Sequence, residues 1–353
     1  MSVRNEGTVQ KDIRKYVALI SGDLPEVSVE EIKGLLEGYK IMYRIIYKDP
    51  FVVIFEADRA NSTRLSSRFS LVKAISEFLG IYSSIDEVFD RIKRIAPMFS
   101  GRKFYIRVFR LGSFWPKSLE TPTLEKDLGR IIADSKAKVS FLSPDIVLNV
   151  YFSKKIVLGI LKEIRRDKTL LRRPSMRPFS KPISMNPRVA KAMVNMARVV
   201  EGSSVLDPFC GTGAILIEAG LMGMRVLGSD INEEMVSGTL KNLEYFGIKP
   251  EKIVRCDIRE IDKYFSDVDA IVCDPPYGRS ASTYGHDLVS LYDDSFKAFK
   301  RVLKDEGYAV VCFSNPMYHY EIGAKHMRLI SVVSYKVHKS LRRYIGVYKN
   351  SSG

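Results

Sequence analysis

The stretch VLDPFCGTGAILIEAG, from Val205 to Gly220, decides the fold. Its apolar start and aspartate read as a strand, its glycines as a tight turn, and AILIEAG as the opening of a helix. Gly211 and Gly213 let backbone pass close to a ligand, and Asp207 at the strand's end can accept hydrogen bonds. A dinucleotide loop would need G-x-G-x-x-G, and Leu216 stands where the third glycine belongs. Asp207 also lies where a pyrophosphate would sit, so an anion is disfavoured. An adenosine carrying a cationic amino-acid tail suits the loop better.

Working outward, the chain from Asn186 alternates strand and helix: SSVLD, AILIEAGLM, RVLGSD, EEMVSGTLKNLEYFG, KIVRCD, DAIVCD, LVSLYDDSFKAFKRVL and YAVVCFSN. That alternation predicts an α/β, mainly parallel, doubly wound sheet. The tail LISVVSYKVHKSLRRYIGVYK reads as two strands joined by a basic turn, an antiparallel edge hairpin. Asp207, Asp230 and Asp257 close three consecutive strands, at the edge where doubly wound sheets bind ligands. Each alone is more often a helix cap or turn former. As a series they form a coherent S-adenosylmethionine pocket: Asp230 for ribose, Asp257 for the adenine amino group, Ile231 and Ile258 against the ring, and Phe209 and Thr212 in the loop.

The fourth strand runs into VCDPPYGRS, Val272 to Ser280. A structural turn would more readily use Asn-Gly or Asp-Gly. The carboxylate of Asp274 and the carbonyls beside Pro275 and Pro276 can instead accept both hydrogens of an exocyclic amine, while Tyr277 offers a flat face for a base lifted from its stack.

The four cysteines, Cys210, Cys256, Cys273 and Cys312, are too scattered for a C-x2-C ligand pair, so no metal site is expected. Cys210 reads as a small buried side chain, because no histidine lies near it in sequence. No stretch has the roughly 18 uncharged apolar residues of a membrane span, and the N-terminus lacks a signal-peptide core, which predicts a cytoplasmic protein without membrane partners. No obligate protein partner is evident.

Charge points to the partner. Of the net +15, the first 178 residues carry +12. A lysine-rich surface of a heat-adapted protein is the bland alternative; a nucleic acid is the favoured one. Residues 14 to 57 read as strand, helix, strand, strand, the helix resting on Val29, Ile32, Leu35 and Leu36 and closed by Gly38. From Leu65 two helical stretches, SRFSLVKAISEFLG and IDEVFDRIKRIA, are expected, then the strand KFYIRVFRLG, a helix LEKDLGRIIADS and further strands. Arg102, Lys103, Arg107, Arg110, Lys154 and Lys155 are RNA-contact candidates on those strands, and Arg172, Arg173 and Arg177 on the proline-containing connector.

Together DPFCGTG, SDIN, CDI and DPPYGRS resemble an S-adenosylmethionine-dependent methyltransferase acting on an exocyclic amine. The lead-in RPFSKPISMNPRVAKAMVNMA, 177 to 197, resembles that of archaeal tRNA guanine N2-methyltransferases modifying position 10, and GRKFYIRVFR, LEKDLGRII and VSFLSPDIVLNVYF resemble a THUMP domain. The resemblance implies four parts: a ferredoxin-like domain over 1–62, a THUMP RNA-binding domain over 63–163, a basic linker over 164–184, and a class I (Rossmann-like) methyltransferase domain over 185–353. It implies S-adenosylmethionine as cofactor, tRNA as partner, and Asp274, Pro275, Pro276 and Tyr277 as the target-amine site. A related THUMP methyltransferase acts at tRNA position 6, and a tRNA-binding protein without chemistry is a further alternative.

Overall fold

A computed structural model describes residues 13–58, 65–164, 169–182, 184–276, 288–314, 316–338 and 341–351. Tyr277, one of the expected site residues, lies outside them. Contacts divide the chain into two compact units, 1–22 with 41–67 and 72–165, and 23–40 with 68–71 and 166–353.

The first half runs β1 (Ile13–Ile20), α1 (Pro25–Gly38), β2 (Tyr43–Lys48), β3 (Val52–Asp58), β4 (Val72–Tyr82) and α2 (Ile85–Ile95). It continues through β5 (Lys103–Arg110), α3 (Thr121–Ala133), β6 (Lys138–Val139), β7 (Ile146–Phe152) and β8 (Ile156–Ile164). All eight strands join one sheet in the order β2-β3-β1-β4-β8-β7-β5-β6. Helices α2 and α3 are amphipathic. They bury Val88, Ile92, Leu124, Leu128 and Ile132 with Phe104, Ile106, Leu148 and Val150 of the sheet.

One expected helix is a strand. Residues 67–80 were expected to be helical, yet Val72–Tyr82 forms β4, paired antiparallel with both β1 and β8. A strand covered on both faces loses its alternation, and VKAISEFL then offers an apolar run that either period fits. Two strand partners decide it, burying Val72, Ala74, Ile75 and Ser76 in succession.

The second unit contains α4 (Pro187–Met196), β9 (Ser204–Asp207), α5 (Ala214–Leu221), β10 (Arg225–Asp230), α6 (Glu233–Tyr245) and β11 (Lys252–Arg255). Then follow β12 (Val268–Cys273), α7 (Leu288–Val302), β13 (Leu303–Phe313), α8 (Pro316–Ala324), β14 (Arg328–His338) and β15 (Leu341–Lys349). Their seven strands run β11-β10-β9-β12-β13-β15-β14, the first five parallel and the last two antiparallel. Strand order reverses between β9 and β12, the switch point where such sheets leave a crevice.

Helix α1 belongs to this unit. Its Val27, with Leu24 and Leu71, enters the same core as Met193, Leu216, Val205 and Val347. Glu31 is fully buried and accepts hydrogen bonds from the backbone N–H of Ser70, from that of Leu71 at 2.8 Å and from Asn195 Nδ2 at 2.8 Å. Helix α4, not expected from the sequence, starts with Asn186 capping the Arg188 N–H and Pro187 in its first turn. Among the described residues no helix is long and apolar enough to cross a membrane.

Candidate active site

The β9–α5 loop is built from its glycines. Gly211 and Gly213 have φ of 52° and 77°, left-handed values that favour glycine. A Cβ at Gly213 would stand 3.1 Å from Thr239, whose hydroxyl donates to the Gly211 carbonyl at 2.8 Å. Asn242 Nδ2 donates to the Thr212 carbonyl at 2.9 Å, and the Thr212 hydroxyl meets that of Ser184 at 3.0 Å. The loop is thus clamped from α6 below and from the lead-in beside it.

Four carboxylates stand along this edge. Asp207, only 2% exposed, ends β9 and accepts the Phe209 N–H at 3.1 Å. Burial raises its carboxyl well above the usual range, and the nearby Asp274 and Asp230 add to the rise. Asp230 ends β10. It accepts the N–H groups of Gly211 at 3.0 Å and Asn232 at 2.9 Å on different oxygens, which fixes its plane while burial raises its pKa. Asp257, two residues beyond β11, accepts Nε and Nη2 of Arg259 at 3.0 and 2.7 Å. Asp274 directly follows β12. Its Oδ2 accepts from Arg343 Nη1 at 3.2 Å, while its Oδ1 is buried and has no hydrogen-bond partner among the described residues. Burial pushes the Asp274 carboxyl up to about 6; Arg343 and the Cys312 thiol hold it back.

These groups line one cavity of about 550 Å³. Its walls include every expected cofactor residue except Gly213, together with Asp274, Pro275 and Pro276. A drug-sized or nucleoside-sized ligand fits such a volume. Its five aspartates outnumber its two cations, Lys181 and Arg259, and Phe209, Ile231, Met235, Ile258 and Leu291 supply apolar surface. That set of acceptors suits an adenosine with a positive tail and disfavours a phosphate. Burial, with Asp207 and Asp230 nearby, raises the Cys210 thiol well above its ordinary pKa, so it is a poor nucleophile.

Sequence reasoning missed Lys181, Ser184, Met185, Met235, Leu291 and Asp294, which also line the cavity, and Arg343, which reaches Asp274 from 69 positions away. Asn186–Pro187, a helix-start signature, was the available sign that the lead-in folds back onto the site. No local pattern announces Arg343.

The basic candidates divide. Arg102, Lys103, Arg107 and Lys154 are exposed, and so is Lys155, although it donates to Ser83 at 2.8 Å. Arg110 is half-buried and donates to the Trp115 and Lys117 carbonyls. On the connector, Arg173 is exposed, whereas Arg172 forms a two-pronged pair with the buried Glu218 at 2.7 and 2.8 Å. Arg177 is buried and donates to the Arg172 carbonyl at 2.9 Å.

A family model described as an RMKL-like methyltransferase domain matches residues 174–345. A tRNA (guanine(10)-N2)-dimethyltransferase of Methanothermobacter thermautotrophicus is 34% identical over 94% of this chain and 98% of its own. One of Methanocaldococcus jannaschii is 32% identical over 97% and 92%. The crystal structure of TrmN from Thermus thermophilus shares the fold, with a TM-score of 0.54, 20% identity and coverage of 95% and 99%. With such likeness running over nearly its whole length, the chain belongs to the tRNA (guanine(10)-N2)-dimethyltransferase family.

Proposed function

We propose that this chain transfers methyl groups to the exocyclic N2 of a tRNA guanosine, at position 10, forming N2-methylguanosine and then N2,N2-dimethylguanosine. S-adenosylmethionine supplies the electrophilic methyl when bound. The observation that carries the reading is the Asp274 carboxylate, which lines the cavity beside the cofactor carboxylates and keeps one buried oxygen without a hydrogen-bond donor among the described residues. A buried acceptor lacking a donor is costly, and an amine N–H would satisfy it.

The residues divide the work. Asp230 accepts ribose hydroxyls on the lone pairs that the Gly211 and Asn232 N–H groups leave open. Asp257 accepts the adenine amino group; its pair with half-exposed Arg259 is weak enough to be displaced. Asp207 and Asp230 set a negative field against the positive tail. Asp274 and the Pro275 carbonyl accept the two hydrogens of the target amine. That draws its lone pair out of conjugation with the base, and Asp274 can take up the proton released after transfer. Tyr277 stacks on the base.

The basic front half supplies most of the phosphate contacts, through Arg102, Lys103, Arg107, Lys154 and Lys155, and reads tRNA by shape. Residues 1–62, 63–163, 164–184 and 185–353 serve as ferredoxin-like, THUMP, linker and methyltransferase parts of one cytoplasmic enzyme. Purified protein incubated with transcript tRNA and S-adenosylmethionine, followed by mass mapping, is expected to give dimethylated guanosine at position 10. No methyl incorporation, or incorporation at position 6 instead, would overturn the assignment.

A further inference from the structure

The edge hairpin of the methyltransferase sheet does more than end it. Strand β15 runs antiparallel to β13, pairing Phe313 with Tyr344 and Cys312 with Ile345. The start of β15 therefore stands at the carboxyl edge of the parallel strands, the edge that carries Asp274. Leu341 is half-buried, but Arg343 is only 9% exposed and points a guanidinium into the sheet's edge. A buried cation there is expensive unless a counter-charge meets it. Asp274 is that counter-charge, at 3.2 Å. Tyr335, directly opposite on β14, takes part in a side-chain hydrogen bond with the same guanidinium.

We propose that Arg343 is a positioning residue for the methyl-transfer reaction, holding the Asp274 side chain through Oδ2 so that Oδ1 stays charged and presented to the target amine; this rests on the reading of Asp274 given above. Among the described residues, an Asp274 carboxyl free of Arg343 would keep only the Cys312 thiol, a weak donor, in favour of its charged form. The described groups around it are Asp207 on β9, Cys273 at the end of β12, Cys312 on β13, Tyr335 on β14 and Tyr292 on α7. Asp207 opposes a second negative charge, and burial raises Cys273, Cys312, Tyr335 and Tyr292, so all four stay neutral at working pH. Among the described residues Arg343 is thus the cation that keeps Asp274 ionised, and it fixes one carboxylate oxygen while leaving the other to the substrate. In a fully parallel sheet no strand would begin at this edge.

The test uses the full chain and two independent readouts. In the cofactor-free protein, Asp274 is titrated by 13C NMR of labelled aspartate side chains and identified by loss of its resonance in Asp274→Asn. Arg343→Met and Arg343→Gln are expected to raise its midpoint by at least one pH unit, because the charged form loses its cation, while Arg343→Lys leaves it within half a unit. In single-turnover methyl transfer, the acidic limb of the rate profile should move upward equally in the two neutral variants. Rate lost at pH 6.5 should then return at pH 9, because the active form is the carboxylate and is lost as pH falls through its pKa. S-adenosylmethionine affinity should stay within threefold, since Arg343 does not line the cavity. An unshifted Asp274 midpoint, or a rate loss equal at every pH, would overturn the proposal. If wild type methylates nothing, the NMR shift still decides the Arg343 pairing while the functional reading fails separately. Should both neutral variants fail to fold, Arg343→Lys decides: a midpoint shifted by a full unit despite its retained charge would overturn the proposal, and an unshifted one supports it.

Discussion

Gly34→Ala tests whether helix α1 is built into the catalytic unit. In an unattached helix this change should stabilise, because alanine exceeds glycine in helix propensity by about 1 kcal/mol. Here a Cβ at position 34 would stand 2.5 Å from the Asn195 carbonyl oxygen and 2.7 Å from the Met196 Cα. Both are backbone atoms of α4 or its end and cannot rotate away, so the two helices must separate. Separation loosens Val27 in the shared core and stretches the Asn195–Glu31 hydrogen bond. Forcing one extra methyl into a packed interface costs about 1–3 kcal/mol, and a clash with backbone rather than with a movable side chain belongs at the upper end. The net is about 2 kcal/mol of destabilisation, hence about 4–8 °C off the melting temperature of a unit this size. Gly129→Ala in α3 is the control. Its Cβ would meet nothing within 4 Å, so it should raise stability by about 0.5–1 kcal/mol. Scanning calorimetry of the full chain measures both. A Gly34→Ala protein that melts higher, as Gly129→Ala should, would refute the docking of α1 on α4.

Asp274→Ala should lower single-turnover methyl transfer about a hundred- to a thousandfold with S-adenosylmethionine binding nearly kept; a rate within threefold of wild type would remove Asp274 from the amine site. Asp230→Ala should weaken the cofactor at least tenfold by calorimetry, since a hydrogen bond to a charged acceptor is worth about 1.5–3 kcal/mol. Asp207→Asn should raise the melting temperature of the cofactor-free protein at pH 8 while weakening cofactor binding. The Asp207 carboxyl titrates higher folded than unfolded, so its stabilising contribution is present below the unfolded pKa and lost as pH rises through the folded one. The gain should therefore vanish near pH 4, and a gain independent of pH would show that Asp207 is not strained by its charge.

The parts of the fold legible in sequence are those whose information is local. The loop from Asp207 to Gly213 and the strand-end acids at Asp230 and Asp257 could be read because a parallel sheet repeats one arrangement, strand then acid then turn, within a few residues each time. Strand β4 was not legible because its identity is set by β1 on one side and β8 on the other, some 55 and 85 positions away in the chain. Helix α1 shows the same limit. Its amphipathic period announces a helix between two strands, but not that its apolar stripe lies on α4 rather than on the sheet those strands form.

Arg343 carries this reasoning into the active site itself. LRRYIGVYK looks like a basic turn feeding an edge strand, and its charge could serve solubility or phosphate binding equally well. Only the antiparallel return of β15 along β13 places the strand's beginning at the edge where Asp274 sits. Its neighbour Arg342 stands nearer the surface and donates to Ser334 at 2.8 Å. Strand alternation sends adjacent side chains to opposite faces, so of two consecutive arginines one can enter the site while the other cannot. A shift of one residue in the β13–β15 register would turn Arg343 to the opposite face, and where it brings Tyr344 into that place Asp274 loses its cation. On the role proposed for Asp274, the hairpin's register is therefore a catalytic quantity as much as a structural one.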